Sequence, residues 1–154
     1  MYDSKEDTIK HKLQVEIFVK KIIKELNNRA KNHDNSKLEE PEKSIFDEYS
    51  SKLKNSIYGS WGYNKFLKEM KIALDHHYEH NPHHPEYRED GIKGMDLVDI
   101  VEMICDWKAA SIRHDTGDIL KSMDINQKRF KYSDDLKCIF INTINRYFTQ
   151  KDGE

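Results

Sequence analysis

His33 and Asp34 stand side by side at the end of a long periodic stretch, and Lys37 follows three residues later. A histidine next to an aspartate is common, but imidazole nitrogen and carboxylate oxygen are also the donors that hold a divalent transition metal. Two further residues of these types invite the same use: His11, one long helix earlier, and Asp106, inside a later apolar helix. Together His11, His33, Asp34 and Asp106 offer two neutral imidazoles and two carboxylates. Such a set accepts manganese, iron, cobalt, nickel or zinc and leaves positions open for water and substrate. An ion held this way polarises a phosphoryl oxygen and lowers the pKa of bound water, which permits hydrolysis without a covalent nucleophile.

A second group of candidates lies further on, because five of the eight histidines fall between His76 and His84. In Asn81-Pro82-His83-His84-Pro85-Glu86 each proline lacks an amide donor and restrains the residue before it, so a rigid turn loaded with imidazoles is expected. Either it is a solvated histidine-rich loop, or His77, His83 or His84 closes a metal or phosphate site. In the second case Asp34 bridges to a second ion held by His77 and by His83 or His84. Lys37, Arg29 and Arg113 are candidates for binding substrate phosphate, the first by charge and the arginines by bidentate geometry. Asp34 and Lys37 belong to the catalytic set, and Glu39, Glu40 or Glu102 could serve as general acid or base. Salt bridging to Arg29 or Arg113 is the competing explanation for Glu102 and Asp106. The chain contains no Gly-rich phosphate loop, Gly-x-Ser-x-Gly elbow or Cys-x-x-Cys pair that would argue for other chemistry.

The elements that must position these residues read as helices throughout. From about Thr8 to Lys31, Val15, Phe18, Ile22 and Leu26 recur at spacings of three and four, which predicts an amphipathic helix with one buried face. His11 and His33 extend that stripe at its two ends. Asn32 to Lys37 reads as a helix end and turn. A second helix runs from Pro41 to about Asn55, and Gly59 and Gly62 around Trp61 mark a loop. A third helix, about Asn64 to His80, buries Phe66, Leu67, Met70, Ala73, Leu74 and His77. Met95 to about His114 is apolar on nearly all sides and is expected at the centre of its domain, although Asp99, Glu102 and Asp106 interrupt it. Two further helices, about Gly117 to Arg129 and Ser133 to Gln150, complete an all-α bundle of about six.

With 154 residues and 18.4 kDa, the chain fits a single domain over 1–154, with the candidate ligands in a core of about 8–115 and terminal helices over about 117–150. Charged residues make up 35% of the chain but cancel to a net of −2, so there is no global pull toward nucleic acid or an anionic membrane. No run approaches the roughly 20 apolar residues of a membrane span, and the first residues are polar, so a cytoplasmic protein is expected. Cys105 and Cys138 sit in apolar helical patterns and are expected as buried thiols. The aromatics Tyr58, Trp61 and Tyr63 could form a homodimer interface.

In its ligand order the sequence resembles the HD-domain metal-dependent phosphohydrolase superfamily. That pattern is a histidine on an early helix, a His-Asp pair after a following helical stretch, and a later aspartate. His11, then His33 and Asp34, then Asp106 match it in order, and Lys37 matches a lysine often found three residues after the pair. The resemblance covers roughly residues 8 to 115 and implies an all-α HD-domain-like bundle. His76-His77, Asp90-Gly91, and Asp106 with Ala109 or Ala110 further look like a loose version of the cyclic-dinucleotide phosphodiesterase branch. The Gly-Tyr-Pro signature of that branch is absent, so what carries over is a second ion on the extra histidines. His-His-Pro-Glu and Asp-Trp-Lys-Ala-Ala-Ser also look like a small, often phage-encoded group with no activity to carry over. The resemblance implies hydrolysis of a phosphate ester, of a nucleotide or deoxynucleotide, with one or two divalent ions. The alternatives are a di-iron oxygenase on the same scaffold and a non-catalytic metal- or ligand-binding helical module.

Overall fold

The computed structural model describes residues 2–57, 60–113 and 117–148. These residues form seven α-helices and three 3₁₀ turns, with no strand among them, so the all-α expectation holds. Tyr58, His114 and the segment 149–154, on which parts of the sequence reading fell, lie outside the described residues. The chain divides at the His33–Asp34 peptide bond into two compact units.

The first unit is one helix, α1 (Lys5–Asn32), with Glu6 and Asp7 in its first turn and Arg29 and Lys31 in its last, each favourable to the helix dipole. No residue of α1 is buried. The stripe of Val15, Phe18 and Ile22, expected to face a core, stays 45%, 54% and 46% exposed, and Leu26 is half-buried. A 3.6-residue period reports that one side of a helix is apolar; it does not report that anything covers that side.

The second unit contains α2 (Glu42–Lys54), α3 (Trp61–Glu69), α4 (Lys71–His80), α5 (Leu97–Ser111), α6 (Ile119–Phe130) and α7 (Asp134–Tyr147). The single helix expected over 64–80 is two helices that meet at Met70. Met70 is fully buried and its ψ of 2° turns the chain there. No glycine or proline marks the corner, which is why spacing alone reads through it. Met103, Ile104, Met123, Tyr132, Phe140 and Ile144 form the core of α5 to α7, flanked by Trp107 and Phe130. The Tyr132 hydroxyl donates to the carbonyl of Met123 at 2.8 Å, so the phenol is buried with its polar end satisfied.

α5 differs from the expectation of a helix covered on all sides. Its buried residues are Asp99, Glu102, Met103 and Ile104, whereas Leu97 and Val101 are 73% and 41% exposed. Both cysteines, expected inside, are exposed. Cys138 lies about 200° around α7 from the buried Phe140, so burial of one excludes burial of the other. Among the described residues, no helix is long and apolar enough to cross a membrane.

The start of α5 is locked by polar contacts. Asp96 accepts from the backbone N–H groups of Val98 and Asp99 at 2.8 and 3.0 Å, a capping box closed by Asp99 on the Asp96 N–H. The fully buried Asp99 also receives Arg88 Nη2 at 2.6 Å. Gly94 leaves room for that arginine, since a Cβ there would stand 3.0 Å from Arg88 Cβ. The 3₁₀ turns Pro85–Tyr87 and Gly91–Gly94 are thereby held to α5, which fixes the histidine-rich turn relative to Glu102 and Asp106.

Candidate metal centre

Asp34 opens the second unit in the left-handed region, φ 56° and ψ 19°, a conformation that Asp and Asn adopt more readily than most residues. Its carbonyl accepts from the Lys37 N–H at 2.9 Å and so starts the 3₁₀ turn Asn35–Leu38. The Lys37 ammonium returns to Asp34 Oδ2 at 2.6 Å and lies 5.3 Å from the centre of the Phe46 ring. The other carboxylate oxygen, Oδ1, faces two histidines, 3.4 Å from His77 Nε2 and 3.5 Å from His83 Nε2.

His77 sits one turn before the end of α4 and is 2% exposed. Its Nδ1 is 2.9 Å from Oε2 of Glu42, which is fully buried in the first turn of α2. A carboxylate can only accept, so Nδ1 carries the proton and Nε2 keeps its lone pair. The Asn81 amide nitrogen also lies 3.0 Å from Nδ1, but Ser36 Oγ and the His77 carbonyl, each 2.8 Å away, take its two protons. Glu42 Oε1 meets His76 Nδ1 at 2.7 Å, so one buried carboxylate serves two adjacent imidazoles.

The chain then reverses through Asn81-Pro82-His83-His84, with the His84 N–H donating to the Asn81 carbonyl at 3.0 Å. Proline at the second position presets the turn, and Asn at the first favours it. His83, 1% exposed, directs Nδ1 to Glu102 Oε1 at 3.2 Å. His84 Nε2 lies 2.9 Å from His77 Nε2.

One ligand atom from each of Asp34, His77, His83 and His84 therefore lies within 4.8 Å of all the others. Tetrahedral coordination at the usual zinc–nitrogen length of about 2.0–2.1 Å requires ligand–ligand edges of about 3.3 Å. Three of the six edges, at 2.9, 3.4 and 3.5 Å, bracket that value. Burial, reinforced by the neighbouring imidazoles of His83 and His77, pushes His84 down to about 3. Burial and the Lys37 ammonium lower His77 as well. Both rings are neutral at pH 7, which is the form that donates to a metal. Glu42 behind His77 makes the hydrogen-bonded carboxylate–histidine pair that orients metal ligands elsewhere, and Glu102 Oε1 lies 3.2 Å behind His83 Nδ1. Asp106, half-buried on α5, has a carboxylate oxygen within 4.8 Å of one from Asp34 and lies close enough to His84 for its charge to favour the imidazolium.

The expected ligands thus divide. Asp34, His77, His83 and His84 converge, with Asp106 and Lys37 beside them and Glu102 behind. His11 does not join His33: both belong to α1 and its C-cap, and 22 helical residues separate them by about 33 Å. The expectation that they share one ion is therefore corrected. His33 ends the first unit and is bonded to Asp34. Arg29 lies on α1, with Nε 3.5 Å from Glu25 of the same helix. Arg113 is exposed beyond the end of α5, seven residues or about 10 Å along from Asp106. His80 stacks on His76 at 3.9 Å, outside the cluster.

Sequence reasoning missed Glu42, Ser36 and Asn81. The only local signal at Glu42 is an acidic residue after proline in a first turn, which reads as a dipole partner, and the contact to His77 spans 35 residues. Glu42→Gln keeps the shape and removes the charge. It is expected to weaken zinc or cobalt binding by about 10–100-fold, as outer-shell changes do, with helicity unchanged. Competition titration against a chelating dye measures it, and unchanged affinity would mean that the carboxylate does not orient His77.

No curated protein and no solved structure matches the chain. A family model described as a family of unknown function, DUF5662, matches residues 1–146, a span that contains every candidate ligand. The chain belongs to the DUF5662 family.

Proposed function

We propose that the chain is a divalent-metal-dependent phosphohydrolase acting on a phosphate ester, with nucleotides and deoxynucleotides as the first substrate class to test. The observation that carries this reading is the convergence of three imidazoles and the Asp34 carboxylate at coordination spacing. When bound there, a divalent cation supplies Lewis-acid polarisation of a phosphoryl oxygen and acidifies water.

The protein's own groups divide the remaining work. His77 and His83 are buried, whereas His84, Asp34, Lys37 and Asp106 are only half-buried, so a phosphate approaches from their side. The Lys37 ammonium, one-third exposed while it holds Asp34, can turn part of its hydrogen bonding to a phosphate oxygen. Asp106 is the carboxylate at the rim able to take a proton from attacking water, while Glu102, 8% exposed behind His83, orients that ring. His33, Arg29 and Arg113 keep the roles expected from the sequence as roles to be tested by substitution.

One observation favours a second reading. Four protein donors, three of whose six mutual distances are 2.9, 3.4 and 3.5 Å, are the composition of a closed, structural ion site, in which the ion stabilises a binding module and turns nothing over. A screen of nucleotide mono-, di- and triphosphates with manganese, iron, cobalt, nickel and zinc, run beside Asp34→Ala, separates the two. Metal-dependent phosphate release that disappears in the variant is expected. No release from any substrate by metal-loaded protein would sink the hydrolase and leave the structural ion.

A further inference from the structure

α4 carries a pair of imidazoles that the four-donor centre does not use. His76 and His80 stand four residues apart and so share one face of the helix, His80 exposed and His76 with its side chain 30% open. Their rings stack with centroids 3.9 Å apart, 17° from parallel. Each ring spends the same nitrogen on an acceptor. His76 Nδ1 meets Glu42 Oε1 at 2.7 Å, and His80 Nδ1 meets the His76 carbonyl at 2.7 Å. A carboxylate and a carbonyl can only accept, so both protons sit on Nδ1 and both Nε2 atoms keep a lone pair. Donation of one ring N–H to a carboxylate or a backbone carbonyl is how metal-ligating histidines are held in known sites. The pair therefore has both the tautomer and the anchoring of ligands, on a face that solvent reaches.

We infer that His76 and His80 form a second, open cation site that chelates copper(II) through their two Nε2 atoms. Two adjacent nitrogens with water in the remaining positions make the tetragonal arrangement that copper(II) prefers, and copper(II) heads the affinity order of divalent first-row ions. The exposed His80 ring is free of packing that would stop it hinging until both lone pairs meet one ion. His80 is also the last residue of α4, where the helix dipole favours positive charge. Behind the pair stands Glu42, fully buried, whose Oε2 orients His77 for the centre while its Oε1 orients His76 for the open site. The two sites share that carboxylate but no ligand, so the open site does not need the centre to hold an ion. Cobalt at the pair would be six-coordinate with water and absorb weakly, so the intense band of a tetrahedral ion reads the centre alone.

The test titrates copper(II) alone into the full chain and reads it by electron paramagnetic resonance, beside His76→Gln, His80→Gln and His77→Ala, with circular dichroism reporting helicity. His80 is exposed, so its replacement removes a ligand without disturbing the core. The parent chain is expected to take two equivalents, one at the centre and one at the pair. His76→Gln and His80→Gln should each lose the same equivalent. His77→Ala should keep that equivalent, with the hyperfine splitting of two nitrogen nuclei. A parent chain that takes one equivalent, lost in His80→Gln and kept in His77→Ala, would uphold the open site and remove the four-donor centre. A copper count and affinity unchanged by His80→Gln, or an ion in His77→Ala that couples to one nitrogen only, would overturn the open site and leave the centre untouched.

Discussion

His77→Ala is expected to abolish metal binding at the four-donor centre and, with it, phosphate release. The substitution removes one of four converging donors, the one whose Nε2 stands 2.9 Å from His84 and 3.4 Å from Asp34. It also strips the buried Glu42 of the imidazole that its Oε2 meets at 2.9 Å. The loss should exceed the roughly 100-fold that outer-shell changes cause, so Glu42→Gln and His77→Ala form an ordered pair. Cobalt titration measures it: the parent chain is expected to develop the intense visible absorption of a tetrahedral ion at one equivalent, and His77→Ala none. Wild-type affinity in the alanine variant would place the ion elsewhere. The metal-free protein should meanwhile grow less stable with acid. His84 sits far below its ordinary value of 6.5 and His77 below it too, so as pH falls through that range the unfolded chain takes up protons that the folded one refuses. Stability is present above the ordinary value and is lost progressively on acidification.

How far the sequence could be read depended on the kind of information each feature needed. Helix identity came from local periodicity, and seven of the described elements lie where spacing put six, the extra one arising at Met70, where a buried side chain turns the chain without glycine or proline. The turn at Asn81 to His84 was legible because proline acts locally. What was not legible is which apolar stripe is covered. Val15, Phe18 and Ile22 have the spacing of core residues and are half exposed, while on α5 Asp99 and Glu102 are buried and Leu97 and Val101 are exposed. Those outcomes rest on partners far along the chain, Arg88 for Asp99 and His83 for Glu102. The site shows the same division. Asp34 and the histidines of 77 to 84 were marked by residue type and density. His11 was mis-assigned because sharing a helical face says nothing about distance along the axis, and Glu42 was invisible because its neighbours at 76 and 77 are more than thirty residues away.

The second large effect concerns Asp34, where charge and backbone can be separated. Asp34→Asn preserves a side chain of nearly the same shape and a residue type that tolerates the left-handed φ of 56°. It removes the negative charge that faces His77 and His83 on one side and receives Lys37 at 2.6 Å on the other. Metal affinity and phosphate release are therefore expected to collapse while the fold stays close to parental stability. Asp34→Ala removes the same charge but places a residue without a local hydrogen-bonding side chain in the left-handed region. That conformation costs about 1–2 kcal/mol, so the alanine variant should unfold at lower denaturant than the asparagine one by roughly that amount. Two measurements then read two properties of one residue: metal titration should group Asn with Ala, and urea denaturation should group Asn with the parent chain. Should the asparagine variant bind cobalt as the parent does, the carboxylate charge is not part of the ion's shell, and the three imidazoles would have to hold it without Asp34. Should the two variants instead be equally stable, the left-handed turn at Asp34 carries no cost, and the preference for aspartate there comes from the metal alone.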